Sequence, residues 1–163
     1  MILQKKKLDL DFKTNFKPFD RILVAVDEDD SKSSLAAFQY ALALAKPNLA
    51  ALGIVSVLEL EDLNVFETFS PEKRNQLREN LTVDLERYVK KAQENGIYDV
   101  CSFVQEGKPA ATIISEIIPE FKPDVLLCGS KTKPVSNAKK IFIGSQASYL
   151  AQNAPCSVMV IRS

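Results

Sequence analysis

Histidine is absent from these 163 residues. Its absence removes Ser-His-Asp and Cys-His catalysis and nearly every His-based metal site. No Walker A loop, no GxGxxG and no HExxH occurs either. Net charge is absent too, since 21 basic residues balance 21 acidic ones. That balance argues against bulk nucleic-acid binding. No apolar stretch reaches membrane-spanning length, and the opening MILQKKKLDLDFKTNF lacks the unbroken apolar core of a signal peptide. The chain is therefore expected in the cytoplasm, away from membranes. Cysteine is scarce. Cys101, Cys128 and Cys156 form no CxxC, and each sits in or beside an apolar, strand-like run. They read as buried free thiols.

What is present suits one globular unit. Apolar residues make up 46% and charged residues 26%, and the length allows a real core. Residues 1 to 18 read as an N-terminal arm, basic at Lys5-Lys6-Lys7, with the alternating stretch Leu8-Asp9-Leu10-Asp11-Phe12. Residues 19 to 163 read as a single α/β domain. Ile22 to Val26 is a continuous apolar run, as expected of a strand covered on both faces. The acidic punctuation from Asp27 to Asp30 precedes a helix whose Leu35, Phe38, Leu42 and Ala45 recur at helical spacing, and Lys46-Pro47 should stop it.

A second strand, Ala51 to Leu58, is followed by a linker and by Ser70-Pro71, a cap with proline at the first helical position. Leu77, Leu81, Leu85, Tyr88 and Ala92 line one face of that second helix, and Gly96 ends it. A third strand lies near Asp99 to Val104. Gly107-Lys108-Pro109 opens a third helix with a stripe at Ile113, Ile114, Ile117, Ile118 and Phe121, where Pro119 should kink or end it. Val125 to Cys128, Ser145 to Asn153 and Ser157 to Ile161 supply a fourth strand, a fourth helix and a fifth strand. Strands alternating with helices imply an open parallel sheet with right-handed crossovers, whose ligands sit beyond the C-terminal strand ends.

The closing segment carries the chemistry. From Val125 to Ser163 there are five basic residues and no Asp or Glu, whereas residues 21 to 124 hold eleven basic against eighteen acidic residues. A polar loop with Lys131, Lys133, Lys139 and Lys140 runs between Gly129-Ser130 and Gly144-Ser145. Glycines admit close backbone approach, and a helix start offers unpaired N–H donors and partial positive charge, so the arrangement suits an anion such as phosphate. Plainer readings stand beside this one. Asp27 could only cap the first helix, Ser145 could only be an N-cap, Gly129 could be a tight strand exit, and the lysines could be a solvated loop.

Taken together, RILVAVDEDDSKSSLAAFQYALALA, GIVSVLE, VQEGKPAATIISEI and DVLLCGS…IGSQASYLAQNAPCSVMVIR resemble the universal stress protein family from about Phe19 to Arg162. The resemblance implies a flavodoxin-like sheet of order 3-2-1-4-5 with helices on both faces. It implies an adenine nucleotide, ATP first, in a pocket formed by Ala25, Val26, Asp27 and Val57 at the nucleoside end. Gly129, Ser130, Thr132, Gly144, Ser145 and Gln146 would stand at the phosphates. Mg²⁺ would be held through the phosphates, with Asp27 as a candidate carboxylate. Two departures mark the loop. Thr132 stands where the family's ATP-binding subgroup has its second glycine, and fourteen residues separate Gly129 from Gly144, two more than in the subgroup. Threonine limits close approach, while the four lysines could act by direct charge.

The functional expectation is a non-catalytic stress or regulatory protein that binds an adenine nucleotide. It would be a homodimer paired through residues 157–161, with neither nucleic acid nor membrane as partner. The apolar last strand would otherwise be an exposed edge. A dimeric interaction module without nucleotide is the alternative, and an enzyme acting on adenylyl or phosphoryl groups is the third reading.

Overall fold

A computed structural model describes residues 8–17, 19–27, 31–59, 70–130 and 144–163. Its framework is one five-stranded parallel sheet of order β3-β2-β1-β4-β5. The strands are β1 (Arg21–Ala25), β2 (Ala51–Leu58), β3 (Val100–Glu106), β4 (Val125–Gly129) and β5 (Ser157–Ile161). Hydrogen-bonded register aligns Ile22 with Leu52 and Val125, and Val24 with Ile54 and Leu127. The helices are α1 (Ser31–Asn48), α2 (Pro71–Glu94), α3 (residues 109–121) and α4 (Ser145–Asn153).

Successive side chains of a strand point to opposite faces. Ile22, Val24, Leu52 and Ile54 therefore pack under α1 and α2, against Phe38, Ala41, Leu85 and Ala92. Leu23, Val55 and Leu126 pack on the other face, against Ile113, Ile117, Phe121 and Leu150 of α3 and α4. Both sheet faces are covered, which is why β1 and β4 read as unbroken apolar runs rather than alternating ones.

Three helical details differ from the pattern in the sequence. First, α1 passes through Lys46-Pro47 to Asn48. A proline in the final turn removes one N–H from a helix already built, and the chain leaves through Leu49 at φ 52°. Second, the buried face of α1 is not led by Leu35, which is 50% exposed. Ser33, Ala37, Phe38, Ala41 and Ala45 face the sheet instead, because small residues four apart let the helix sit close to it. Third, Pro119 does not end α3. The α-helical turn Pro109–Thr112 widens into a π-helical turn, Ile113–Ile117, and resumes as Ile118–Phe121. The Ile118 N–H reaches back to Ile113 O. The widened turn makes room where the proline ring would meet the carbonyl four residues earlier. The helix then stops at Lys122, at φ 52°.

The N-terminus of α2 follows the sequence signals. Ser70 Oγ accepts the Lys73 N–H at 3.4 Å, and Pro71 is the first helical residue. Its Leu81, Leu85 and Ala92 are buried. Cys128 is buried and Cys156 half-buried, but Cys101 lies exposed on the edge strand β3, so burial of all three thiols does not hold. No helix among the described residues is long and apolar enough to cross a membrane.

Candidate functional site

The C-terminal ends of the strands form a crest between the two helical layers. Here β1 leaves the sheet as Val26 donates to Val55 O at 2.9 Å. Asp27 follows, and Ser34 of α1 clamps its backbone. The Asp27 N–H donates to Ser34 Oγ at 2.7 Å, and that hydroxyl donates to Asp27 O at 3.0 Å. This reciprocal pair closes the β1–α1 turn and leaves the Asp27 side chain at the crest.

On the neighbouring strand, β4 ends at Gly129 against the first turn of α1. A Cβ built on Gly129 would lie 1.9 Å from Ser33 Oγ and 3.1 Å from the Ser33 carbonyl carbon. No larger residue fits without moving α1. Ser130 follows, 1% exposed. Its N–H donates to Ile161 O at 2.9 Å, and its carbonyl accepts the Gly144 N–H at 2.8 Å. The two ends of the lysine-bearing segment therefore meet in a hydrogen-bonded neck. Gly144 caps α4 at φ −57° and ψ 154°, a backbone that any residue can adopt. Ser145 is exposed at the first helical position. Gln146 turns inward, and its Oε1 accepts the Ala110 N–H at 2.9 Å, tying the start of α4 to the start of α3.

A cavity of about 250 Å³ opens at this crest. Of the residues expected around a nucleotide, it gathers Ala25, Val26, Asp27, Val57, Gly129 and Gln146. Ser130, Gly144 and Ser145 stand at the neck, outside its lining. Thr132 and the four loop lysines lie outside the described residues. Sequence reasoning missed other wall residues: Ser33, Ser56, Glu59, Leu77 and Cys128. Leu77 carried only a helical-stripe signal, and the strand ends gave no sign of which residues would turn toward the crest.

The described wall is largely apolar, with carboxylates at Asp27 and Glu59 and buried hydroxyls at Ser33 and Ser56. Such a wall suits a flat, neutral ring system and hydroxyl or amino donors rather than phosphate. Burial pushes the Cys128 thiol up to about 11, so it stays protonated and unreactive at neutral pH. No cluster of three or more His, Cys, Asp or Glu residues that could hold a metal ion occurs among the described residues.

At the far end of the crest, Glu106 closes β3. It pairs with Arg74 at 2.6 Å and Arg78 at 3.4 Å, both on α2. The hydrogen bond from Arg74 holds its carboxyl below the usual value. This clamp fixes the half of α2 that supplies Leu77 and Leu81 to the cavity. Gly107 then turns at φ 137°, donating to Leu58 O at 3.0 Å, and delivers Pro109 to the cavity rim.

These features agree with comparisons to known proteins. The profile of the universal stress protein family matches residues 18–162. A relative from Staphylococcus haemolyticus, described as a universal stress protein, is 28% identical over 145 residues, covering 89% of this chain and 86% of the relative. The solved structure of the hypothetical protein MJ0577 superposes with a TM-score of 0.73 at 22% identity, over 89% of this chain and 96% of that one. A universal stress protein crystallised in complex with cAMP superposes with a TM-score of 0.64 at 19% identity, over 88% and 97%. The sheet order, the crest cavity and the matched span lead to one conclusion: the chain belongs to the universal stress protein family.

Proposed function

We propose that this chain is a cytoplasmic, non-catalytic regulatory protein of the stress response that binds an adenine nucleotide and works as a homodimer. The observation carrying the nucleotide reading is the cavity that brings Ala25, Val26, Asp27 and Val57 to one side and Gly129 and Gln146 to the other. The base would lie between the ends of β1 and β2, where Val57 and its neighbours offer backbone groups at the strand terminus. Asp27 would accept from an amino or hydroxyl donor of the nucleoside. The phosphates would extend past the neck to exposed Ser145 at the start of α4 and to the lysine-bearing segment beyond. A universal stress protein bound to cAMP shows that a relative of this fold takes an adenine nucleotide. Among such ligands we favour ATP, with Mg²⁺ carried on its phosphate oxygens and Asp27 a candidate carboxylate. The ion would neutralise phosphate charge, and no catalytic residue is assigned.

The test is direct binding. Purified protein is denatured and the released nucleotide identified by mass spectrometry, and ATP with Mg²⁺ is titrated by calorimetry. Bound adenine nucleotide, weakened about tenfold by Asp27→Asn, is the expected result, since a charge-assisted hydrogen bond contributes about 1.5–3 kcal/mol. No released nucleotide together with no titration heat would remove the reading.

Dimerisation rests on β5. It pairs with β4 on one side and forms the sheet edge on the other, and its Val158, Met159 and Val160 are each only half-buried. Pairing with a second copy would satisfy the free backbone edge and cover these side chains. Light scattering at micromolar concentration should give twice the chain mass, and a monomer would refute the pairing.

One observation favours the nucleotide-free interaction module. Ser33 alone explains why residue 129 is glycine, so that glycine needs no phosphate to account for it. The same titration separates the two readings.

A further inference from the structure

A second cavity, of about 570 Å³, runs between α1 and α2 on the outer side of the sheet. Leu35, Phe38, Leu85 and Tyr88 line it, Arg87 and Lys91 stand along its α2 rim, and the carboxylates Asp84 and Asp27 also belong to its wall. Phe38 and Tyr88 meet edge to face at 4.8 Å between centroids. Leu35, half exposed, lies on its wall. The rim cations are only loosely engaged, Arg87 with Asp84 at 3.5 Å and Lys91 with Glu94 at 3.6 Å, all on the helix surface.

The same chain carries a segment shaped to fill such a groove. In residues 8–16, Leu8 is 77% exposed, Leu10 68%, Phe12 68% and Phe16 84%. Leu8, Leu10 and Phe12 alternate with Asp9 and Asp11, so an extended backbone presents apolar groups on one side and carboxylates on the other. In the single chain the segment is folded into local turns, with Phe12 N–H donating to Leu10 O, Asn15 N–H to Lys13 O and Asp11 N–H to Asp9 Oδ1, each at 3.0 Å, and seating it as an extended clasp would open them. Four large apolar side chains held in water are a cost unless something covers them.

We propose that residues 8–16 form a clasp that lays Leu8 and Leu10 into the α1–α2 groove of a second copy of this chain, with Asp9 and Asp11 meeting Arg87 and Lys91. Within one copy the clasp stands away from its groove, as its exposure records. The second copy is favoured by the geometry of the edge pairing proposed above, on which this inference rests. Antiparallel β5–β5 pairing inverts the partner but keeps α1 and α2 on the same face of the joined sheet. The root of the arm, where Phe19 packs on the core at the start of β1, then lies level with the mouth of the partner's groove. Five strand spacings separate β1 from the partner's β1, roughly 24 Å. Counted from Phe19 at about 3.3 Å per residue, Leu10 reaches roughly 30 Å and Leu8 roughly 36 Å, past the partner's β1, while Phe12 reaches only roughly 23 Å and stays short of the groove. Val26, Asp27, Ser56 and Leu81 border both cavities, which places a seated clasp against the wall of the nucleotide cavity.

The test uses full-length chains in which Cys101 and Cys156 are serine. A chain with Leu10→Cys is co-expressed with one carrying Leu35→Cys, oxidised, and run without reductant, after light scattering has established the assembly state. A disulfide-linked heterodimer is expected, at a level above a pair in which exposed Tyr98→Cys replaces Leu35→Cys. Joint Asp9→Lys and Asp11→Lys should slow bridging about tenfold, and joint Arg87→Glu and Lys91→Glu in the partner should restore it. A dimer that forms no bridge, or a chain carrying both cysteines that bridges only within itself, overturns the clasp and leaves the β5 dimer standing. A monomer under all conditions overturns both.

Discussion

The two sides of the loop neck look alike in sequence and differ in physics. Gly129-Ser130 and Gly144-Ser145 are the same dipeptide. Gly129 is pressed so close to Ser33 that a Cβ would lie 1.9 Å from its hydroxyl oxygen, and Ser130 is buried. Gly144 has an ordinary extended backbone, and Ser145 faces solvent. The first pair is built into the packing of α1 on β4. In the second the Gly144 N–H is held by Ser130 O, and it is Ser145 that stands open to solvent. A glycine that suits an anion in sequence can thus be demanded by a neighbouring helix alone.

Substitutions should separate the two sides. The largest effect is expected at Gly129→Ala, which should lower unfolding free energy by about 3 kcal/mol in urea titration, in the upper range for overpacking a close contact. Adding Ser33→Ala should restore only part of that loss, because the 1.9 Å hydroxyl contact disappears while the 2.8 Å contact with the Cβ, which alanine keeps, and the 3.1 Å backbone contact remain. Full-strength stability in the single variant would break the comparison. Next, Ser145→Ala should leave the urea midpoint nearly unchanged, within about 0.5 kcal/mol for an exposed site, yet weaken adenine nucleotide binding about tenfold if the phosphates rest on that helix start. Gly144→Ala should cost about 0.5–1 kcal/mol as a poorer helix cap, well short of Gly129→Ala.

The smallest effect lies at the far end of the crest. The hydrogen bond from Arg74, with burial opposing it, holds the Glu106 carboxyl below its ordinary 4.5. A depressed carboxyl stabilises the fold above its unfolded value, and that increment is lost as pH falls through its folded value. The two arginine side chains are 41% and 46% exposed, so solvent screens the pair and about 0.5 kcal/mol is expected. Comparing the native chain with Glu106→Gln in acid titrations of stability would detect it, as a drop below about pH 4.5 that the variant lacks.

Much of the architecture was legible because it follows local rules. Ser70-Pro71 starts α2, Gly96 follows its end, and unbroken runs such as Ile22 to Val26 mark strands covered on both sides. The failures share a cause. Pro47 and Pro119 signal helix ends by their own chemistry, but a last-turn position and a π-helical turn absorb them. Leu35 fits the helical spacing, but the closeness of α1 to the sheet selected its small residues instead. At the site, Asp27 and Gly129 were visible as punctuation after apolar runs. Ser33, Ser56 and Leu77 were not, since they reach the crest only through the packing of separate elements.

By itself, then, the sequence determined the order of strands and helices, the two-sided burial of the sheet, and the absence of histidine chemistry. These are properties of periodicity and composition. Tertiary structure decided which glycine is a packing necessity, which serine is exposed, and that Leu35 borders a groove rather than a core. Those outcomes depend on distances between residues far apart in the chain, such as Ser33 and Gly129, and no local pattern encodes them.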